Sequence, residues 1–326
     1  CLKARMTVQI QTCESKLASA RLTWRRKLHA TRGLALAANL ILLSVISSQL
    51  AAATRITRGL QVLYTFDAGS GATIHDRSGT GQPLNLKIEE PASVEWQEGA
   101  LLVRSSTKII STAPARTISD VAKRSGAITI EAWVRPANDK QEGPARIVTL
   151  SADNSQRNFT LGQQANLYDV RLRTAATSTN GIPSTATEVG TADTGLAHLV
   201  YTRDTAGNAT IYINGRQQAS KKISGSFANW NDNYRLALAN EMTGERPWLG
   251  TFYLVAVYSR RLTAPEVTQN FKAGARAGIQ TGMAVTERLQ QRFFETRIAP
   301  LLANNCLDCH DSSSHKGKLD LSRKLT

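Results

Sequence analysis

The residues best suited to chemistry stand near the C-terminal end of the sequence, in the run Cys306-Leu-Asp-Cys309-His310. Two thiols three positions apart can add to the two vinyl groups on one edge of a porphyrin, and the next residue can place an imidazole under the iron. Only four cysteines and five histidines occur among the 326 residues, so chance rarely produces this spacing. The motif predicts covalent attachment of haem c through Cys306 and Cys309, with His310 as an axial ligand of the haem iron.

Three other roles stay open for the same two cysteines. They could form a redox dithiol, although thioredoxin-like motifs follow a strand and a helical pattern precedes Cys306. They could supply half of a zinc site, but the sequence has no second pair of this kind to complete four ligands. They could also form a local disulfide. Haem attachment is our primary interpretation.

The second axial ligand of the iron is not identified by the sequence. The three methionines, Met6, Met242 and Met283, all precede the motif. His315 follows His310 closely and could approach the iron. A loop histidine exposed to solvent is the simpler interpretation of His315.

The elements that must position this motif begin with a basic segment and a short apolar run. Residues 1–33 contain eight Lys or Arg and one acidic residue, and an apolar run over 34–46 is followed by Ala51-Ala-Ala53. This order is typical of a secretory signal peptide, here cleaved near Ala53. A retained membrane anchor is the alternative, but the run is shorter than the roughly 20 residues that span a bilayer. We expect an exported protein, periplasmic or at the cell envelope, that contacts a membrane only through an uncleaved signal.

The composition limits both the partners and the means of stabilisation. Residues 1–33 carry +7 of the formal net charge of +15, and the remaining +8 is spread without a dense block. We therefore expect no nucleic-acid binding. Removal of the signal leaves only the two cysteines of the motif, and no cysteine remains for a structural disulfide. A large apolar core must therefore stabilise the exported domain.

Between residues 59 and 258, apolar residues alternate with polar ones in short segments that turn residues separate. The clearest segments lie at 60–66, 128–134, 199–201, 209–213, 234–238 and 252–258. The dipeptide Asn214-Gly215 favours a type I′ turn, and no helical period of useful length interrupts the series. The pattern predicts a mainly β fold, an antiparallel two-sheet jelly-roll sandwich.

Several of these segments also carry a family resemblance. They are Tyr64-Thr-Phe-Asp-Ala-Gly-Ser-Gly71, Glu131-Ala-Trp-Val134, His198-Leu-Val-Tyr-Thr-Arg203 with Ile211-Tyr-Ile-Asn-Gly215, and the strand 250–258 with Leu262-Thr-Ala-Pro-Glu-Val267. Their order and spacing over about residues 59–276 resemble laminin-G-like, concanavalin A-like jelly-roll domains. The resemblance implies a recognition domain whose ligand is a carbohydrate or another envelope component.

Helical signals follow the last strand. Thr263 can cap a short helix with Pro265 in its first turn and Glu266 at its third position. A glycine-containing stretch comes next, and a second helix is expected from about Val285 to Asn305. These patterns divide the chain into a basic region with a signal peptide (1–53), a jelly roll (54–262), a helical linker (263–284) and the start of a further domain (285–326).

The last of these segments resembles planctomycete-type cytochrome c domains. The resemblance rests on Phe293-Phe-Glu-Thr-Arg-Ile-Ala-Pro-Leu-Leu302, the Cys306 to His310 motif, and Lys316-Gly-Lys-Leu-Asp-Leu321. It implies thioether bonds at Cys306 and Cys309 and a proximal ligand at His310. The family continues with a Gly- and Pro-rich loop and usually a distal methionine, so we expect this cytochrome domain to be truncated at residue 326.

Other residues give weaker signals. Asp67, Asn240 and Glu241 could bind calcium in jelly-roll turns, or they could serve as ordinary turn and cap residues. Trp133 and Trp248 could stack on a sugar, or they could be buried in the sandwich. No carboxylate pair, catalytic triad or phosphate loop is evident, and we expect any enzymatic domain to lie beyond residue 326.

The sequence thus leads to two functional expectations. The first is an exported c-type cytochrome that transfers electrons to a redox partner protein and carries a laminin-G-like recognition domain. The alternative is a carbohydrate-binding or adhesion protein in which the C-terminal motif is only structural.

Overall fold

The structure is a computed structural model that describes residues 53–275 and 298–306. Sixteen strands and three α-helices lie in these two ranges. The strands are β1 (Leu60–Tyr64), β2 (Thr73–Ile74), β3 (Leu86–Ile88), β4 (Val94–Gln97), β5 (Ala100–Val103), β6 (Ile109–Ser111), β7 (Ile128–Pro136), β8 (Ala145–Ser151), β9 (Arg157–Gln164), β10 (Leu167–Leu172), β11 (Thr185–Ala186), β12 (Ala197–Arg203), β13 (Asn208–Ile213), β14 (Arg216–Lys222), β15 (Arg235–Leu238) and β16 (Gly250–Tyr258). The helices are α1 (Arg116–Ser125), α2 (Ala264–Ala273) and α3 (Ala299–Asn305), and a single 3-10 turn spans Pro91–Ser93.

The strands form two antiparallel sheets. Sheet I has the order β14-β13-β12-β7-β16-β5-β4, with β1 also paired to β16. Sheet II has the order β11-β10-β9-β8-β15-β6-β3-β2. The mainly β fold and the two-sheet jelly roll predicted from the alternating pattern are therefore confirmed.

The main core lies between the two sheets, and the alternation of side chains along each strand explains it. On β16, Val255 and Val257 belong to the cluster between the sheets, whereas Leu254, Ala256 and Tyr258 belong to a second cluster on the opposite face of sheet I. Successive side chains of a strand point to opposite faces, so a strand that is apolar at every position must be covered on both. Sheet I accordingly needs a cover on its outer face.

Helix α2 supplies that cover. Val267 is fully buried against the outer face, and Phe271 stacks on Trp133 of β7 with ring centroids 5.6 Å apart. Thr263 precedes the helix and its backbone N–H donates to Glu266 Oε2 at 2.8 Å, as a capping residue should. The helix predicted after the last strand is therefore present, and it packs on sheet I.

The turn between β13 and β14 agrees with its sequence signal. Asn214 and Gly215 both have positive φ, 52° and 77°, which a type I′ turn requires at both central positions. A Cβ atom at Gly215 would lie 3.3 Å from the Phe271 ring. Glycine is thus needed here both for its backbone conformation and for the close approach of α2.

Helix α1 was not predicted, because it is short and buries few large side chains. Ile118, Ser119 and Ala122 are its buried residues, and its N-cap, Ala115, makes no side-chain cap. The signal that could have revealed it is Gly126, which ends the helix in the left-handed conformation at φ 62°.

Helix α3 coincides with the end of the second predicted helix, and the earlier part of that prediction lies outside the described residues. Among the helices within 53–275 and 298–306, none is long and apolar enough to cross a membrane.

Candidate functional site

The described residues include an open polar cleft of about 540 Å³ that four separate parts of the chain form. Arg116 comes from the first turn of α1, Gln156 from the turn between β8 and β9, and Arg173 from the segment after β10. The fourth part is the segment 228–234, Ala-Asn-Trp-Asn-Asp-Asn-Tyr, which leads into β15. We call this segment the asparagine loop.

Buried groups hold the asparagine loop against β9. Asn158 is fully buried; its Nδ2 donates to the carbonyl of Asn231 at 2.8 Å, and its Oδ1 accepts from the Asn231 N–H at 2.9 Å. Trp230 stacks on Phe227 with centroids 4.6 Å apart, and its Nε1 donates to the carbonyl of Arg173 at 2.6 Å. The backbone of the loop is therefore fixed without any ligand.

Each of the three asparagine side chains in the loop forms a hydrogen bond within the protein through one of its two amide atoms. Asn229 Nδ2 donates to the Thr174 carbonyl at 3.0 Å, and Asn231 Oδ1 accepts from the Asn233 N–H at 2.9 Å. Asn233 Oδ1 accepts from Arg116 Nη2 at 3.1 Å. In the described part of the chain the other atom of each amide has no hydrogen-bond partner. The cleft thus presents oriented donors and acceptors to solvent.

The charges that line the cleft are unequal. Lys123 Nζ donates to both carboxylate oxygens of Asp232 at 2.6 Å, and this contact lowers the pKa of Asp232. Asp232 is thus ionised at neutral pH. Its ion-pair partner, Lys123, is not one of the residues that line the cleft. The charge of Arg116 also lowers the pKa of Asp232. Neither Arg116 nor Arg173 forms an ion pair among the residues that the structure describes, and Arg173 Nε is buried without an acceptor. The cleft carries an excess of positive charge.

The two tryptophans singled out in the sequence are buried in the sandwich. Trp133 is 6% exposed and lies beside His198, 4.7 Å between centroids, as well as beside Phe271. Trp248 is fully buried, and its Nε1 donates to Gln163 Oε1 at 2.9 Å. Neither ring is open to a sugar.

Two of the three residues suggested to bind calcium, Asn240 and Glu241, already form hydrogen bonds within the protein. The Glu241 carboxylate accepts from Arg146 Nε at 2.8 Å, from the Met242 N–H at 3.0 Å and from the Ser151 hydroxyl. Asn240 Oδ1 accepts from the backbone N–H of Glu241 at 2.9 Å. Within 53–275 and 298–306, no three His, Cys, Asp or Glu side chains are grouped so that they could hold a metal ion. This arrangement favours turn and ion-pair roles for Asn240 and Glu241.

Of the three residues predicted to hold haem, only Cys306 lies in the described part of the chain. It ends α3, its backbone N–H donates to the Leu302 carbonyl at 2.9 Å, and its thiol is free and half-buried. A partly accessible thiol at a helix end can react with a vinyl group, so Cys306 fits the attachment of haem. Cys309 and His310 lie outside the described residues.

The sequence did not reveal the cleft. Asparagine at positions 229, 231 and 233, directly before a strand, was the available signal. Turn chemistry explains such a run equally well. Only the fold shows that Arg116, Gln156 and Arg173 meet the run.

The family comparison agrees with this architecture. Residues 111–268 match the family described as the concanavalin A-like lectin/glucanases superfamily. Over these residues the sandwich is similar to concanavalin A-like jelly-roll domains. All residues that line the polar cleft lie within the matched range. Comparison with curated proteins gave no match.

Solved structures with the same fold share little sequence with this jelly roll. The binding domain of botulinum neurotoxin serotype C1 is 15% identical, with a TM-score of 0.51 over 68% of this chain and 53% of that chain. The receptor binding domain of a botulinum neurotoxin C/D mosaic serotype is 14% identical, with a TM-score of 0.51 over 67% and 52% of the two chains. A structure of botulinum neurotoxin type C, described in terms of its interaction with two ganglioside molecules, is 14% identical, with a TM-score of 0.50 over 67% and 52%. The chain spans about half the length of these solved chains, and the likeness shows the fold alone.

Proposed function

We propose that the laminin-G-like jelly roll binds a carbohydrate in the polar cleft. The observation that carries the proposal is the set of three asparagine amides, each fixed at one end and open at the other. The family to which residues 111–268 match includes lectins by its description, and the neurotoxin relative described with gangliosides adds support of the same kind.

The chemistry of the cleft suits a sugar. Each sugar hydroxyl can donate one hydrogen bond and accept others, and an amide offers both a donor and an acceptor in one plane. The contacts of Asn158 and Trp230 hold the loop before any ligand arrives, so less conformational entropy is lost on binding. Fixed amides therefore favour affinity for a polyhydroxylated ligand.

A glycan array probed with the full chain tests the proposal. We expect the wild type to bind a subset of glycans, and Asn231→Ala and Asn233→Ala each to weaken binding by about 5- to 10-fold, the effect of one lost hydrogen bond. Asn166→Ala is the matched control, because no hydrogen bond of its side chain contributes to the cleft. The proposal is overturned if no glycan binds, or if Asn231→Ala and Asn233→Ala both bind as the wild type does.

A second function, covalent attachment of haem c, rests on the motif Cys306-Leu-Asp-Cys309-His310. Cys306 and Cys309 would form the thioether bonds, and His310 would bind the iron. Haem when bound supplies single-electron redox chemistry, so this proposal includes a redox partner protein. It also includes export to the periplasm or cell envelope, where such attachment takes place.

A reduced-minus-oxidised visible spectrum of the full-length protein tests haem attachment. We expect a c-type α-band after expression with the maturation machinery, and a covalent porphyrin mass by mass spectrometry. The band should be absent from the Cys306→Ser, Cys309→Ser double variant. His75→Gln, at an exposed histidine outside the motif, should leave it unchanged. Free thiols and no added mass in the wild type would exclude this function.

A further inference from the structure

We infer that the carbohydrate bound in the cleft is acidic, and that Arg173, assisted by Arg116, binds its carboxylate or sulfate group. This inference rests on the proposed function and adds the chemical class of the ligand. It is carried by the charges, the unpartnered donor and the shortage of open aromatic surface in the cleft.

The charge of the lining favours an anion. Asp232 is the one acidic side chain among the lining residues, and both of its oxygens already accept from Lys123 at 2.6 Å. The lining thus has two guanidinium groups, of Arg116 and Arg173, against one carboxylate that is already paired, so it keeps a net positive charge. A cleft lined by one sign of charge raises the local concentration of ligands of the opposite sign.

The position of Arg173 is set by its backbone rather than by its side chain. Its N–H donates to the Asn158 carbonyl at 2.9 Å, and its carbonyl accepts from Trp230 Nε1 at 2.6 Å. Both contacts belong to the buried base of the cleft. Because the backbone is anchored there, Arg173 lines the cleft from a fixed point.

The side chain of Arg173 has a donor that needs an acceptor. Its Nε is buried and has no hydrogen-bond partner among residues 53–275 and 298–306. A buried donor without an acceptor is costly, and the donors of a guanidinium fit the two oxygens of a carboxylate or sulfate in a planar fork. Rotation of the side chain towards the cleft would let an oxyanion accept from that donor.

Arg116 contacts the asparagine loop directly. One of its terminal nitrogens, Nη2, donates to Asn233 Oδ1 at 3.1 Å, which directs the exposed guanidinium along the loop. Its other donors remain available to the same ligand. Arg116 thus acts as an assisting contact, whereas the half-buried Arg173 is the main contact.

The aromatic residues of the cleft offer little surface for stacking. Trp230 and Tyr234 are 3% and 9% exposed, and they support the loop from below. Stacking of a neutral sugar face on an aromatic ring therefore contributes little here. Hydrogen bonds and charge are left to supply the affinity, which again favours an acidic sugar.

The experiment uses oligosaccharides of one backbone in three forms, neutral, carboxylated and sulfated, titrated calorimetrically into the full chain. We expect at least one acidic form to bind about 10-fold or more tightly than the neutral form, with an affinity that falls as salt is added. The carboxylated and sulfated arms identify which oxyanion is preferred.

Variants assign the effect to the cleft. Arg173→Gln should weaken binding of the acidic form by about 10-fold more than it weakens binding of the neutral form. Arg124→Gln is the matched control, because it also removes one positive charge. Arg124 lies at the exposed end of α1, about 12 Å along the helix axis from Arg116. The Arg124→Gln variant should bind as the wild type does. If Arg173→Gln does not fold, Arg173→Lys keeps the charge but loses the planar fork, and it should still bind the acidic form more weakly.

The outcomes separate this inference from the proposed function. Equal binding of neutral and acidic forms, with Asn231→Ala defective and Arg173→Gln normal, overturns the acidic ligand and keeps carbohydrate binding. A loss of affinity in Arg124→Gln equal to that in Arg173→Gln also overturns it, because the effect is then one of overall charge. Absence of binding to all three forms and to the glycan array overturns both.

Discussion

At the scale of single residues, Glu131 shows how one buried carboxylate connects segments from both ends of the jelly roll. It lies fully buried on β7, and its Oε1 accepts from His198 Nε2 at 2.8 Å and from Arg55. Its Oε2 accepts from Asn270 Nδ2 at 2.9 Å and from the Tyr258 hydroxyl at 3.1 Å. One carboxylate thereby joins the N-terminal segment, sheet I and α2.

The surroundings of Glu131 keep it ionised. Burial alone raises the pKa of a carboxyl group, but the Arg55 guanidinium and His198 outweigh burial and bring the pKa of Glu131 to about 2. The folded state therefore holds this proton more weakly than the unfolded chain does. The resulting stability is fully present above the unfolded pKa of about 4.5 and is lost as the pH falls from there towards 2.

Glu131→Gln should therefore destabilise the protein in a pH-dependent way. At pH 7 we expect a loss of about 3 kcal/mol in the free energy of unfolding, since Arg55 would be buried without its counter-charge. Urea unfolding measured from pH 7 to pH 2 should show the gap between variant and wild type closing below about pH 4.5. Glu142→Gln, at an exposed site, is the control and should match the wild type throughout. A gap that stays constant down to pH 2 would contradict this account of Glu131.

At the scale of elements, ligand affinity should depend on the hydrogen bonds by which Asn158 of β9 fixes the asparagine loop. Asn158 exchanges two hydrogen bonds with the backbone of Asn231, and it is fully buried. Asn158→Ala would leave a backbone N–H and a backbone carbonyl without partners and free the loop to move. We expect a loss of about 1 to 3 kcal/mol in stability and a fall in glycan affinity, measured by urea unfolding and calorimetry. Asn166→Ala should change neither, and unchanged affinity in Asn158→Ala would mean that the loop needs no such support.

The start of α2 is a second element with a local determinant. Glu266 accepts from the Thr263 N–H at 2.8 Å and from Arg260 Nη2 at 2.7 Å, and the Arg260 contact is the main cause that lowers the pKa of Glu266 to about 2. Glu266→Ala removes these contacts, and a lost helix cap costs about 1 kcal/mol.

Thermal unfolding at pH 7 and pH 2.5 should test this capping contact. Glu266→Ala should unfold at a lower temperature than the wild type at pH 7. The difference should shrink at pH 2.5, because the Glu266 carboxyl of the unfolded wild-type chain is protonated there and folding must release that proton. Thr268→Ala, within the same helix but outside the cap, serves as the control. An equal destabilisation by both variants would attribute the effect to packing of α2 and not to its cap.

At the scale of the whole molecule, the fold was more accessible to sequence reasoning than the cleft. Strands β7, β12 and β16 were predicted from apolar residues at every second position, and the structure buries these strands on both faces. Strand β14 was not, since it is an edge strand whose residues are exposed at nearly every position. The cleft follows from neither pattern, because it depends on residues far apart in the chain that meet only after both sheets have formed.

The haem motif is the reverse case, because adjacent residues carry all of its chemistry and no fold is needed to recognise it. The cleft is built from residues between 116 and 234, and the motif from 306–310, so the two proposed functions share no residue.

Substitutions should separate the two proposed functions. The Cys306→Ser, Cys309→Ser double variant should lose the c-type α-band and keep wild-type glycan affinity, whereas Arg173→Gln should show the opposite. Calorimetry and the visible spectrum, recorded on the same preparations, measure both properties. A double variant that loses glycan binding along with haem, while its urea unfolding is unchanged, would show that the recognition domain depends on the bound cofactor.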